Sequence, residues 1–497
     1  MEKNSLRSTD YDICIIGGGI NGVGIAREAA LQGLKVCLLE QNDLASGTSS
    51  ASSKLIHGGL RYLEHFEFGL VKKALAEREV LLNMAPHIIW PLSFVLPHQS
   101  HLRPAWLIRI GLFLYDNLAK RSILPSSRVL QFDESSPLQS HIQHGFEYAD
   151  AWVDDARLVV LNALAASELG ADIYNYTRCV NAKAVAGVWR VTLQATATEL
   201  PQTITARMVI NAAGPWVNNV FEQVLQQPIE HQIRLVKGSH IIVPKLHEQN
   251  KAYILQNADK RIVFVLPYEQ DFSLIGTTDI EFKGELQQVS SSEAENRYLI
   301  ESVNSYFKTQ LQIQDIVSSY AGVRPLLSDA AEQAQKVTRD YKLALDNQGS
   351  APLLSVYGGK ITTYRKLAHE AMQLIADVFT IQLPRITSEL SLPGGDFTCI
   401  NALQGEIEGR YQWLPSQLLQ RLLRSYGTRC FDILGDSQTL EALGMDFGHG
   451  LYQAEVDYLL DTEFAKTLDD ILWRRSKLGL RLEVAQRNAL ADYINSC

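Results

Sequence analysis

The stretch YDICIIGGGINGVGIAREAALQGLKVCLLE, Tyr11 to Glu40, decides the fold. Tyr11 to Ile16 is a short apolar run, and Lys35 to Leu39 is a second. Fully apolar strands of this kind suit a parallel sheet covered on both faces. Between them lies the glycine turn Gly17-Gly18-Gly19-Ile20-Asn21-Gly22, then Ile25 to Leu31 with helix-forming residues, then Gly33 to end the helix. Strand, glycine turn, helix and strand make a βαβ unit of the dinucleotide-binding kind. Gly17 allows the tight turn, Gly19 lets the backbone approach a pyrophosphate, and Gly22 permits close helix–sheet packing. The helix N-terminus then turns its free N–H groups toward phosphate. Glu40 closes the second strand, where a carboxylate can accept bonds from ribose hydroxyls and disfavours a 2′-phosphate. A glycine turn that merely packs well is the rival reading, and it is outweighed by the strand, helix, strand and carboxylate together.

Working outward, Ser46 to Gly59 (SGTSSASSKLIHGG) is rich in small hydroxyl residues and glycine, and a helical region follows to about Met84. Ser49, Ser50 and Ser53 beside Lys54 suit a pyrophosphate and the edge of a flavin ring, and the run continues directly into Leu55, Ile56 and His57. Ala206 to Gly214 (ARMVINAAG) is an apolar strand ending in the small residues Ala213 and Gly214, which lets the chain pass close to a cofactor. Alone such a strand is ordinary core; after the first motif it favours FAD. Gly358-Gly359-Lys360 precedes Ile361 and Thr362-Thr363 at the start of another helix, a binding point for the electron-rich edge of a reduced flavin. Strand-like segments recur at 187–194, 239–243, 261–267 and 272–277 and read as a sheet of their own. A Pro-Gly-Gly break at Pro393 to Gly395 sets off a last hundred or so residues with helical periodicity.

The chain of 497 residues calls for two or three domains. A net charge of −9 gives no reason to expect nucleic acid. The six cysteines form no CxxC pair and fit a reducing compartment better than a disulfide framework. No metal-ligand spacing is present, the N-terminus is polar, and no apolar stretch is long enough to span a bilayer.

The run Thr48 to Leu63 resembles the flavin-proximal loop of FAD-dependent sn-glycerol-3-phosphate dehydrogenases, most closely the bacterial aerobic, respiratory enzymes. Lys237-Gly238-Ser239-His240, Gly276-Thr277-Thr278-Asp279, Ala321 to Leu326 and Gly358 to Arg365 are similar to that family too. The resemblance covers nearly the whole chain. Only the first ten or so residues and Asp329 to Val337 depart from it, and neither touches a motif. It implies an α/β fold: a two-dinucleotide-binding-type FAD domain from 1–85, 150–230 and 320–385, a mixed-sheet substrate and membrane-facing domain from 86–149 and 231–319, and an all-helical cap over 390–497. FAD is expected to be non-covalent, held by Gly17, Gly19, Gly22, Glu40, Thr48, Ser49, Ser50, Ser53, Lys54, Leu55, His57, Ala213, Gly214, Gly359, Lys360, Thr362 and Thr363. Arginine forks match phosphate oxygens, and the resemblance implies that Arg61 and Arg339 grip the phosphate of glycerol 3-phosphate. Arg324 and Lys360 would face its hydroxyls and Tyr62 would line the pocket. Arg339 stands beside Asp340, so a surface ion pair is its rival reading.

The implied reaction takes the secondary alcohol of glycerol 3-phosphate to dihydroxyacetone phosphate, with the flavin as hydride acceptor. His57 and His240 are candidate bases, His57 slightly favoured; an Arg324–Lys360 pair that lowers the hydroxyl pKa shares the work. Electrons are expected to pass to membrane quinone. The rivals are a glycerol-3-phosphate oxidase releasing peroxide, an amine or amino-acid oxidase, and a flavin-binding regulator without turnover. Trp106 to Tyr115 (WLIRIGLFLY) and Trp473 to Arg481 mix tryptophan, leucine and cations. They are expected to lie on an anionic membrane surface, peripherally at its cytoplasmic face. Oligomeric state is left open, a homodimer included.

Overall fold

The computed structural model describes residues 10–100, 102–196, 200–327 and 341–497. Strand β1 (Tyr11–Ile16), helix α1 (Ile20–Leu31) and strand β2 (Val36–Leu39) form the expected unit, with β1 parallel to β2. β1 is also parallel to strand Gln202–Asn211, which is parallel in turn to Leu353–Tyr357. Three segments far apart in sequence therefore build the centre of one sheet. Side chains alternate across a strand: Ile13 and Ile15 enter the core beneath α1, while Cys14 and Ile16 enter a second core on the opposite face with Trp189 and Phe221. Both faces are covered, which is why β1 and β2 are apolar throughout.

The helix Phe68–Met84 is α2, Ala105–Asn117 is α3 and Asp155–Glu168 is α4. α1 packs between α4 and the helix Tyr364–Phe379. Among the described residues a second, mixed sheet has ten strands, with Ile262–Tyr268 and Lys251–Gln256 near its middle. Leu55–Ile56 wholly, Ser318–Leu327 largely and His144–Val153 at its end come from stretches expected in the FAD domain, so neighbouring stretches of chain part between the two sheets. Beyond Pro393, helices such as Ser416–Tyr426 and Gln453–Asp461 close around their own core of Leu419, Leu422, Leu459 and Ile471. This gives the expected helical third part.

One expectation is corrected here. Trp473–Arg481 is not a membrane-facing patch. Arg475 is fully buried and paired with Asp43, Arg474 is paired with Asp43 and Asp470, and Lys477 is paired with Asp154. The cations that suggested a lipid surface are the rivets of a domain seam. α3 is different. It buries Leu112 and Tyr115 and leaves Trp106, Ile110 and Phe113 exposed; Phe66, just after the turn Leu60–His65 that packs on α3, is 80% exposed. No described helix is long and apolar enough to cross a membrane.

Candidate active site

A cavity of about 1600 Å³ runs from Glu40 and Asn42 past Gly17 and Gly19 to Gly359 and Lys360. Single-ligand pockets hold about 300–1,000 Å³, so there is room for a dinucleotide and a second molecule.

The glycine turn is built as the motif demands. Gly17 has φ +116°, and a Cβ there would sit 2.6 Å from the Ala212 carbonyl oxygen. A Cβ on Gly22 would sit 1.9 Å from the Gly17 carbonyl oxygen. Gly22 therefore does not line the cavity but lets α1 close onto β1. The first amides of a helix have no internal acceptors. Gly19, Ile20 and Asn21 present this end of α1 to the cavity, and Ile20 N donates to Ser49 Oγ at 3.0 Å. Glu40 accepts from Gly18 N at 2.8 Å and Asn42 N at 2.9 Å. Burial pushes its carboxyl above the usual range, and those two amides oppose the shift. Its remaining lone pairs suit hydroxyl donors. The turn without side chains, the amide-lined helix end and the carboxylate at one extremity together fit FAD.

The flavin-side loop is hung from several elements. Thr48 Oγ1 donates to Val323 O at 2.6 Å, and Ser53 Oγ lies 2.9 Å from His240 Nε2. Ser49, Ser53, Leu55 and His57 line the cavity with Ala213, Gly214, Gly359, Lys360 and Thr362. Ser50, Lys54 and Thr363 do not. Lys54 is buried, with Nζ 2.6 Å from Asp155 Oδ1 and 3.1 Å from Ser50 O. Asp155 also takes Ser52 N and Ser52 Oγ, so Lys54 ties the loop to the start of α4 instead of reaching into the cavity. At the far side Asn21 Nδ2 donates to Gly358 O at 3.1 Å, joining the two glycine turns, and His57 N donates to Thr362 Oγ1 at 3.3 Å.

Three of the four cations singled out in the sequence meet one cavity. Arg61, Arg324 and Lys360 all line this cavity. Lys360 Nζ stands 4.2 Å from the centre of the Tyr62 ring, and Arg61 Nη2 donates to Lys260 O at 3.2 Å. Arg324 pairs with Asp279 at 2.5 Å. A side chain on Gly238 would start 2.8 Å from Arg324 Nη2. Arg339 lies outside the described residues. His240, stacked on Tyr320, is held neutral: burial lowers its pKa well below the ordinary value, and Arg324 and Lys54 add to this.

Asp279, Gly238 and Asn21 are the cavity-lining residues that sequence reasoning passed over. Two stand inside motifs already quoted and the third inside the glycine turn. An acid beside a motif threonine is not readable as an arginine's partner until the strands are paired.

A model of the FAD dependent oxidoreductases matches residues 12–365, and one for the C-terminal domain of alpha-glycerophosphate oxidase matches residues 385–495. The glycerol-3-phosphate dehydrogenase of Pseudomonas aeruginosa is 54% identical, over 98% of this chain and 95% of that one. The D-erythritol 1-phosphate dehydrogenase of Brucella abortus is 49% identical, over 98% of each. The structure of the glycerol-3-phosphate dehydrogenase from Bacillus halodurans complexed with FAD superposes with a TM-score of 0.76 at 25% identity, over 98% of this chain and 90% of that one. The chain belongs to the family of FAD-dependent glycerol-3-phosphate dehydrogenases.

Proposed function

We propose that the protein oxidises sn-glycerol 3-phosphate to dihydroxyacetone phosphate and delivers the electrons to a membrane quinone. The observation that carries this reading is that Arg61, Arg324 and Lys360 share one cavity with the dinucleotide motif. A phosphate dianion needs cations and hydrogen-bond forks, and a neutral or monoanionic substrate does not. Near-complete alignment with the relative from Pseudomonas aeruginosa supports the same substrate.

FAD, when bound, supplies the two-electron acceptor. The chain's own residues do the rest. Arg61, with Arg339, grips phosphate. Lys360 and Arg324 stabilise negative charge developing on the substrate oxygen and so lower the pKa of the hydroxyl. His57, which lines the cavity, accepts the hydroxyl proton, whereas His240 is fully buried behind Ser53. Leu107, Ile110 and Leu114 of α3 line the cavity together with the exposed Phe66, and Trp106 and Phe113 of the same helix are exposed. That supports peripheral attachment, with this face in the headgroup layer and quinone entering from it.

The relative from Brucella abortus favours one alternative substrate, a four-carbon polyol phosphate. Steady-state assays with a short-chain quinone, comparing glycerol 3-phosphate with erythritol 1-phosphate, test both points. The reading predicts a higher kcat/KM for glycerol 3-phosphate and slow peroxide release. A preference for erythritol 1-phosphate overturns the substrate, and rapid peroxide production without need of quinone makes the protein an oxidase.

A further inference from the structure

The loop after β2 is gripped from two sides. Glu40, Asn42 and Ala45 line the cavity, and Ala45 N donates to Gly18 O at 3.1 Å. That bond ties the loop to the glycine turn. Its other hold comes from the end of the chain. Asp43 is 1% exposed and accepts from Arg475 Nη1 at 2.5 Å and Nη2 at 2.9 Å, with Arg474 Nε as a third donor. Arg475 is itself fixed by Glu463 O, which takes Nε at 3.0 Å and Nη2 at 2.7 Å. Arg474 also reaches Asp470, whose Oδ1 accepts from Tyr176 Oη at 2.7 Å, and Tyr176 N donates to Asn42 O at 2.8 Å. The circuit starts and ends on the cavity wall.

A buried carboxylate tolerates ionisation only where donors surround it. Apart from Asn175 Nδ2 at 3.3 Å, every side-chain donor to Asp43 comes from the helical domain. If the domain lifts, Asp43 keeps only Asn175 of its side-chain donors, and the loop next to Glu40 must rearrange or hydrate. We propose that the C-terminal helical domain is the clasp of the FAD site. Arg475 is a positioning residue that acts through Asp43 to hold the 40–46 loop against the adenosine end of the cofactor. Coupling of this kind is reciprocal, so bound FAD holds the helical domain down as firmly as the domain holds FAD. The inference rests on the cavity holding FAD and not on which alcohol is oxidised.

The test follows release of FAD from diluted full-length holoenzyme by the rise in flavin fluorescence. Asp43→Asn and Arg475→Lys are expected to release FAD at least about fivefold faster than the parent chain. Arg481→Gln breaks a pair with Asp271 at another edge of the same domain, and it is expected to release FAD at the parent rate. Equal release by the parent and both seam variants overturns the clasp, and so does equally fast release by Arg481→Gln. Should the seam variants not fold, amide exchange in the unaltered chain decides. FAD must slow exchange across Asp470–Arg475, and exchange there that ignores FAD overturns the proposal. A parent chain that carries no FAD at all would instead overturn the cofactor assignment.

Discussion

Arg324 donates through Nη1 to Asp279 Oδ1 at 2.5 Å and through Nη2 to Thr277 Oγ1 at 3.3 Å, so one loop of the second sheet holds the guanidinium. That loop is itself pinned, because Glu295 accepts from Thr278 Oγ1 at 2.9 Å and Ser239 Oγ at 2.7 Å and pairs with Lys237 at 2.8 Å. Burial opposes ionisation of Glu295, but the bonds from Lys237, Ser292 and Ser239 prevail and hold its pKa at about 2.

Asp279→Ala should therefore leave Arg324 mobile. A charge-assisted bond contributes about 1.5–3 kcal/mol, which corresponds to about one to two decades in kcat/KM for glycerol 3-phosphate. Asp279→Glu should recover part of the loss. Unchanged kinetics in Asp279→Ala would show that Arg324 needs no such hold.

Lys54 and Asp155 form a buried pair, and removing one partner strands the other charge. Lys54→Met is expected to cost about 3–5 kcal/mol of stability in urea unfolding, with much of it recovered in the double variant Lys54→Met/Asp155→Leu. A Lys54→Met chain of parental stability that merely loses FAD would restore Lys54 to the cofactor site.

His87 is fully buried between the first domain and Gly394 and Gly427 of the chain's last part. Burial first, then Arg157 and Arg424, lower its pKa to about 3. Its folded value lies below the unfolded one, near 6.5, so the unfolded state binds the extra proton between the two. Stability from this group is complete above about pH 6.5 and is lost as pH falls toward 3, by about 1.4 kcal/mol per pH unit. Urea unfolding at pH 7.5 and 5.5 should show the drop, and His87→Leu should lessen it. A slope identical in His87→Leu would place the acid sensitivity elsewhere. Glu295 does not contribute in that window, because its stabilisation is lost only as pH falls from about 4.5 to 2.

The membrane prediction now rests on α3 alone. Trp106→Ser with Phe113→Ser removes two exposed large apolar side chains, each contributing about 1.5–3 kcal/mol if fully buried in lipid. Flotation with anionic liposomes should fall by tenfold or more. Arg474 and Arg475, sealed in the domain seam, are no longer expected to bind lipid directly, and flotation unaffected by the α3 changes would exclude this face.

How much of this was legible follows from distance along the chain. The Gly17, Gly19, Gly22 and Glu40 unit reads directly because its requirements are local: a backbone turn, a close approach, a strand end. Arg474 and Arg475 misled because their partner Asp43 is some 430 residues away, and a cation beside tryptophan looks the same in a seam as on a membrane. Lys54 misled likewise, since Asp155 lies 101 positions on. The polarity of α3 was visible, but which side would stay bare was not, because only the packed neighbours decide it. The parting of neighbouring stretches of chain between the two sheets was hidden for the same reason.

The central claim is that the cavity joins FAD to a polyol phosphate, and anaerobic mixing tests it most directly. The purified yellow protein should be bleached by sn-glycerol 3-phosphate in the absence of any other acceptor, with one dihydroxyacetone phosphate formed per flavin, and should keep its colour with glycerol or lactate. A flavin that stays oxidised with glycerol 3-phosphate, or is bleached equally well by the unphosphorylated alcohol, would contradict the account.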